Sequence, residues 1–449
     1  MSTPYDYDFV VIGSGFGGSV SALRLAEKGY TVGVLEQGRQ YRPQDFARTN
    51  WKIHKYLWAP LIGCHGFFKM TLFKHTFIVS GTGVGGGSLG YANTLYVPPD
   101  KVWEDPRWAR LKDWKTIMPA YFETAKKMLG VTINPYLGTA DRMLEKAAHK
   151  AGVGHTFHPT QVGVFFGEPG KEGQTVPDPY FDGQGPPRKG CTKKGRCMVG
   201  CIDGGKNTLD KNYLYLARKK GAVIHAETRV EKVVPVDQAE DGSRGYEIHT
   251  IGKTSSLFKT KKVYRSKGVV FSAGVLGTMS LLMDNKDKGH LPRISDELGN
   301  FVRTNSEALF TVRLKDRKTS VCDGVCIGSS IHIDEHTHIE PVRYGKGSDV
   351  MGWITTVMPS QESGNRLRDW FREIAKRPLD MIRNHYLKDW ADKTIVLLVM
   401  QTLDSRLKMK YKPWPLFPFK KRLITEGEKI AATIPKAARF AELMGRMFH

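Results

Sequence analysis

An apolar run, Phe9-Val10-Val11-Ile12, breaks into Gly13-Ser14-Gly15-Phe16-Gly17-Gly18 and then into residues whose apolar positions, Val20, Leu23 and Leu25, follow a helical period. The pattern G-x-G-x-x-G is weak alone. With a strand before it and a helix after it, the local fold narrows to a β-α-β unit whose turn wraps a phosphate. Gly13 permits the tight turn, Gly15 lets a pyrophosphate reach the backbone N–H groups, and Gly18 lets helix and strand pack closely. A second apolar run, Tyr30 to Leu35, leads to Glu36, 21 residues after Gly15. A carboxylate there accepts from ribose hydroxyls and repels a 2′-phosphate.

This pattern does not separate NAD from FAD, because both carry the same adenosine diphosphate half. A second glycine cluster, Val84-Gly85-Gly86-Gly87-Ser88 followed by Tyr91-Ala92-Asn93-Thr94, points to further backbone held against a ligand. At 449 residues the chain exceeds the size at which one core stops growing, so two domains are expected. Residues 101–150 read as helical, 167–205 as a long irregular excursion, and 209–220 as helix. Short strands follow at 225–236 and 246–251. Val269-Val270-Phe271-Ser272 runs into a second strand-to-helix turn, and residues 308–358 and 394–401 alternate as an antiparallel sheet does. The end, Glu426 to Phe448, reads as helix.

With 68 Lys and Arg against 45 Asp and Glu, the net charge is +23. Such a balance favours anionic partners, but no zinc-finger spacing, aromatic RNA-binding box or lone basic helix accompanies it, so nucleic acid is not expected. No run approaches the ~18 uncharged apolar residues of a membrane span. The N-terminus lacks the cationic, long apolar and cleavage regions of a secretory leader. Six cysteines in a chain this long do not form a secreted disulfide framework. The expectation is a reducing, cytoplasmic setting, peripheral to a membrane at most.

The second glycine cluster resembles the glycine-loop signature of the glucose-methanol-choline flavoprotein oxidoreductases. Val270-Phe271-Ser272-Ala273-Gly274 with Leu276-Gly277-Thr278 resembles that family's second signature. The similarity continues through Lys206 to Tyr213, Leu298 to Glu307 and Thr337 to Gly347, whose phrases are closest to the cholesterol-oxidase-like bacterial branch. The resemblance implies an α/β protein: a Rossmann-like FAD-binding domain (1–50, 76–100, 205–307) beside a substrate domain of antiparallel sheet plus helices (51–75, 101–204, 308–449). It implies FAD on Gly13, Gly15, Gly18, Glu36, Gly85, Gly86, Gly87, Ser88, Asn93, Val230, Ala273 and Gly274. The implied reaction is oxidation of a hydrophobic alcohol, a 3β-hydroxysteroid first and another long-chain alcohol second, with oxygen or another electron acceptor reoxidising the flavin. A reading of a different class is a non-catalytic nucleotide-binding or membrane-surface protein.

By the same resemblance Glu340, in His338-Ile339-Glu340, matches the carboxylate that moves a proton between steroid carbons. The plain alternative is a salt bridge to Arg343. His332, His336 and His338 suggest a metal site but lack a clear third ligand facing the same way, so solvated or core histidines are expected. Cys191, Cys197 and Cys201 resemble a four-cysteine motif, C-x2-C-x2-C-x3-C, with Lys194 where the second would stand. No metal is expected there, and a buried or redox-active thiol cluster is the competing reading. Trp51 to His75 and Pro413 to Lys421 mix aromatics with cations and are candidates for contact with a membrane surface. Family members continue into a segment with a catalytic histidine and a partner asparagine, which these residues do not contain. His449 lacks the surrounding glycines. The expectation is therefore a piece of a longer reading frame that binds FAD weakly and turns over little.

Overall fold

The computed structural model describes residues 5–359, 365–414, 417–427 and 434–448; the side chains of 238, 366 and 417–420 lie outside the description, as does His449. Tyr7–Ile12 (β1), Val32–Leu35 (β2), Val223–His225 (β3), Thr228–Pro235 (β4), Tyr246–Gly252 (β5) and Thr260–Phe271 (β6) form one sheet in the order β3-β2-β1-β6-β5-β4. The four strands β3, β2, β1 and β6 run parallel, and β4 and β5 add antiparallel to the β6 edge. Parallel strands covered on both faces need continuous apolar sequence, which Val10-Val11-Ile12 and Val32 to Leu35 supply. Helix Phe16–Glu27 packs Ala22, Leu23 and Ala26 on one face, and Leu281 of helix Gly274–Asp287 joins the cluster on the other.

Register fixes where a ligand can sit. Ile12 pairs with Leu35 on one side and Phe271 on the other, so the three strands end level. Gly13, Glu36 and Ser272 therefore leave the carboxyl edge of the sheet side by side, the position at which open α/β sheets bind ligands.

Ala308–Arg313 (β7), Ser329–Asp334 (β8), Thr337–Val342 (β9) and Thr394–Gln401 (β10) form a second, wholly antiparallel sheet in the order β7-β10-β9-β8, with His158–Pro159 at its edge. Alternation sorts its faces. Ile331, Ile339, Ile395, Leu397 and Val399 pack against helices Thr139–Lys150 and Pro435–Phe448 through Leu144, Ala148, Ala437 and Phe440. Glu340, Val342, Val396 and Leu398 take the opposite face, since cross-strand partners share a side.

Two stretches differ from the expected elements. Residues 101–150 hold α-helices only at Trp114–Leu129 and Thr139–Lys150, with short 3-10 turns before them, because Gly130 adopts a left-handed C-cap with φ +57° and the chain then runs extended at Thr132–Ile133. Glu426 closes a strand, Phe417–Glu426, paired antiparallel with Arg406–Trp414, and the last helix starts only at Pro435. Leu407 and Met409 alternate with Lys408 and Lys410, a period of two that buries Met409 against Met279 and Met283.

Candidate functional site

The two glycine clusters meet. A Cβ on Gly86 would lie 2.6 Å from the Gly15 Cα, so this close approach requires glycine, and Gly86 itself sits at φ +52°. Gly13, at φ +97°, passes so close to the Ser272 carbonyl that a side chain would collide with the backbone. Gly18 is crowded in the same way by Gly13 and Ser272, which brings helix Phe16–Glu27 tight against the strand. That helix begins at Gly15 with no side-chain cap, leaving its first N–H groups to a ligand.

These loops open into a cleft of about 3650 Å³. Gly13, Gly15, Glu36, Gly86, Gly87, Val230, Ala273 and Gly274 line it. Gly18, Gly85, Ser88 and Asn93 do not. Ser88 works inside the loop: its hydroxyl donates to the Gly85 carbonyl at 2.7 Å and accepts from the Leu209 N–H at 3.0 Å. Asn93 is buried at φ +70°, its Nδ2 donating to the Ile327 carbonyl at 3.4 Å, while its Oδ1 has no partner among the described residues. Glycine-lined backbone and an uncapped helix terminus form a cradle that fits a dinucleotide.

In this structure protein donors take up the Glu36 carboxylate expected to face the ribose. One carboxylate oxygen accepts from the Ser14 N–H at 3.1 Å and the Ser14 hydroxyl at 2.7 Å, and the other from the N–H groups of Gly38 at 2.9 Å and Gly83 at 3.2 Å. Four donors occupy its four acceptor sites. The Ser14 hydroxyl also accepts from the Gly85 N–H at 3.1 Å, so Ser14 and Glu36 tie both glycine loops together. Burial raises the carboxyl above its ordinary pKa, against the pull of these bonds. Ser14 is a site residue that the sequence reading missed, because it stands at a variable position of the motif.

Across the cleft, Val342, Val396 and Leu398 of the second sheet form part of the wall. Glu340 shares their face and is buried, opposite Leu398 in register. Arg343 is not its partner. That guanidinium pairs with Asp141 at 2.7 Å, both groups fully buried, and this removes the salt-bridge alternative. Glu340 instead accepts a hydrogen bond from the Tyr96 hydroxyl. Burial pushes its carboxyl up to about 7, the Tyr96 bond opposes that rise, and the nearby Glu307, itself raised by burial, adds to it. Tyr96 lies 244 residues from Glu340 in sequence, and no local pattern links the two.

The histidines regroup. His158, His332 and His338 stack in a row with ring centroids 5.9 and 5.7 Å apart, and His338 meets the Tyr96 ring edge-on at 5.8 Å. Burial and the neighbouring rings pull His338 down to about 4. His336 stands aside, against Glu335 at 2.7 Å and Thr402 at 3.3 Å. The cysteines are free thiols. Cys191 accepts from the Lys193 N–H and Cys201 from the Lys206 N–H, each at 3.4 Å, and burial pushes Cys197 up to about 11. Among the described residues they do not gather into a metal-binding group. Lys206 Nζ, buried near Cys197 and Cys201, donates to the carbonyls of Leu89, Tyr91 and Cys197 at 2.6 to 3.2 Å. In the segment Trp51 to His75, Tyr56, Phe67 and Phe68 pack into a core with Tyr41 and Phe46, whereas Trp51, Leu61 and Ile62 are exposed. Of Pro413 to Lys421, residues 415–416 and the side chains of 417–420 lie outside the described residues.

A GMC oxidoreductase family model matches residues 187–289, and an FAD binding domain model matches residues 8–47. A cholesterol oxidase of Acinetobacter baumannii is 48% identical over 448 residues, spanning 99% of this chain and 80% of that protein. A cholesterol oxidase of Mycobacterium tuberculosis is 44% identical over 411 residues, 90% of this chain and 70% of that one. A long-chain-alcohol oxidase of Arabidopsis thaliana is 27% identical over 236 residues, covering 53% of this chain and 28% of its own length. The crystal structure of a pyridoxine 4-oxidase from Mesorbium loti shares the fold, with a TM-score of 0.53 at 14% identity over 98% of this chain and 79% of that one.

Proposed function

Because the chain belongs to the GMC oxidoreductases and is an FAD-dependent oxidoreductase acting on CH–OH groups, we propose that its substrate is a 3β-hydroxysteroid and that Glu340 shifts the steroid double bond after oxidation. The observation that carries this reading is the placement of Glu340: a buried carboxyl titrating near neutrality, on the cleft-side face of the second sheet, with one hydrogen-bond partner among the described residues. The identities to two cholesterol oxidases support it.

Bound FAD supplies a hydride acceptor for the alcohol carbon. Gly13, Gly15 and Gly86 would hold its pyrophosphate half, and Val230, Ala273 and Gly274 wall the same cleft. The uncapped N–H groups at Gly15 favour the negative charge of that pyrophosphate. On the other wall, Val342, Val396 and Leu398 exclude water and pack an apolar substrate. As the anion, Glu340 takes a proton from the carbon between ketone and double bond and returns it to the far end of the double bond, so no proton is gained or lost overall. A base of pKa about 7 both accepts and releases that proton near neutral pH. Oxygen is the proposed acceptor that regenerates the flavin.

The test uses the FAD-loaded protein with a 3β-hydroxysterol, following flavin bleaching without air and the conjugated-enone absorbance of the product. Glu340→Gln should leave bleaching within about twofold of wild type and cut enone formation by ~10²-fold or more, the usual scale of a positioned general base. Bleaching with a long-chain alcohol but not with the sterol overturns the steroid assignment. An E340Q protein that still forms the enone overturns the role of Glu340.

A further inference from the structure

Lys206 stands directly behind the wall of the cofactor cleft. It is 1% exposed, and its ammonium uses all three donors: Nζ donates to the carbonyls of Cys197 at 2.6 Å, Leu89 at 2.8 Å and Tyr91 at 3.2 Å. Each acceptor belongs to the wall. Leu89 closes the turn Gly86–Leu89, whose Gly86 and Gly87 line the cleft, and Tyr91 and Cys197 are followed by the lining residues Ala92 and Met198. Lys206 itself does not line it.

Three buried carbonyls that converge on one point repel one another and need donors. A lysine supplies three from a single atom. Nζ also stands 5.0 Å from the centroid of the Tyr91 ring, and the Tyr91 hydroxyl donates to the Asn207 carbonyl at 2.9 Å, so residues 206 and 207 hold this tyrosine by ring, hydroxyl and carbonyl. The titratable groups that act on the ammonium most strongly are Cys197 and Cys201 of one turn, Cys326 ahead of the second sheet and Lys211 of the short turn Leu209–Lys211. None of them is a carboxylate. A buried charge without a counter-charge is costly, and here carbonyl dipoles drawn from two separate segments hold it.

We propose that Lys206 is a positioning residue for FAD: it clamps the end of the second glycine loop to the turn Cys197–Val199, and FAD binds tightly only while all three donors are in place. Burial lowers the ammonium to about 8, the three cysteines oppose that fall, and Lys211 adds to it. Above that pH a neutral amine keeps two donors and turns a lone pair toward one of the carbonyls, and the loop end loosens. FAD binding therefore weakens as pH rises through about 8, since the cofactor prefers the protonated clamp. The inference rests on FAD binding and not on which alcohol is oxidised.

Equilibrium dialysis of the FAD-loaded chain from pH 7 to pH ~9.5, with bound flavin read by absorbance, tests it without turnover. Wild type should lose about tenfold in affinity over this range, the scale of one hydrogen bond to a charged donor. Lys206→Arg keeps a charge that does not titrate there and, when folded by circular dichroism, should hold FAD equally throughout. Lys206→Met keeps the length without a donor; folded, it should bind FAD about tenfold or more weakly at pH 7 and show no further fall. Amide exchange in K206M should speed across residues 86–92 and keep wild-type rates in β1 and β2, which general loosening of the fold does not do. Lys211 and the cleft-lining Lys69 are also lowered by burial and are the competing sources of a fall, so Lys211→Met and Lys69→Met should each retain it. Flat wild-type affinity, a folded K206M that binds FAD like wild type, a folded K206R that falls like wild type, or a fall abolished by K211M or K69M overturns the proposal. The first and last of these results need no Lys206 variant.

Discussion

Glu36, which lines the cleft, and Glu340, buried on the sheet face across from it without lining it, are both raised by burial, and they have different uses because of their partners. Around Glu36 every acceptor site is filled from three points of the backbone and one serine hydroxyl. Around Glu340 there is one phenol donor among the described residues, the Glu307 carboxyl nearby and an apolar sheet face. A saturated carboxylate is a fastener: it ties loops whose N–H groups would otherwise be unpaired. A carboxylate with one donor keeps free lone pairs and a pKa that neutral pH can move. Burial raised both groups, but only the second keeps acceptor sites open.

The largest effect that can break this contrast is at the fastener. Glu36→Ala strands four donors at once, and we expect a loss of roughly 3–5 kcal/mol, the range for removing one partner from a buried charged network, together with loss of bound FAD. Urea unfolding and flavin absorbance after gel filtration measure the two. Glu36→Gln keeps one acceptor oxygen and should fall between; an alanine variant as stable as wild type would show that the loops hold without the knot.

At Glu340 the sign reverses. A carboxyl whose folded pKa stands near 7, above an unfolded value of about 4.3, favours the native state when protonated. That stabilisation is complete below pH ~4 and is lost as pH rises through 7. Glu340→Gln, which removes the charge and keeps an acceptor for Tyr96, should match wild type at pH 4 and exceed it by about 2–3 kcal/mol at pH 8. Equal stability curves across that range would mean that Glu340 is not held out of water.

The same contrast governs what could be read from the residues alone. The cradle was legible because its causes are local: a strand, a turn that only glycine permits, a helix terminus and an acid at fixed spacing all lie within Asp8 to Glu36. Register then did what the spacing implied, bringing Gly13, Glu36 and Ser272 to one edge. The second glycine cluster was legible as loop but not in its function. That Gly86 touches Gly15, and that Glu36 fastens both loops through Ser14, depends on packing between segments about seventy residues apart. On the other wall almost nothing was local. The row His158, His332, His338 takes its first member from a strand at the sheet's far edge, and Glu340 gains Tyr96 from a loop 244 residues away. The alternative that sequence offered, Arg343, stands three residues on but points to Asp141, because alternation and the turn after Val342 send the two side chains to different partners.

The smallest effect is the sharpest probe of the comparison, since it alters the partner and leaves the carboxyl in place. Tyr96→Phe removes the one donor to Glu340 without opening a cavity larger than a hydroxyl. A hydrogen bond to a charged group is worth about 1.5–3 kcal/mol, so its loss should raise the Glu340 pKa by roughly one unit or more. Carboxyl carbon shifts of labelled glutamate, followed against pH in the folded chain, should show that one resonance titrating above 7 in the variant while the Glu36 resonance keeps its wild-type course. In turnover the rising limb of the isomerisation profile should move up by the same interval with the oxidation profile fixed, a split that mere loosening of the sheet does not produce. If the Glu340 titration stays where it is, the phenol is only a neighbour, and the unfilled lone pairs of Glu340 are held by the sheet alone.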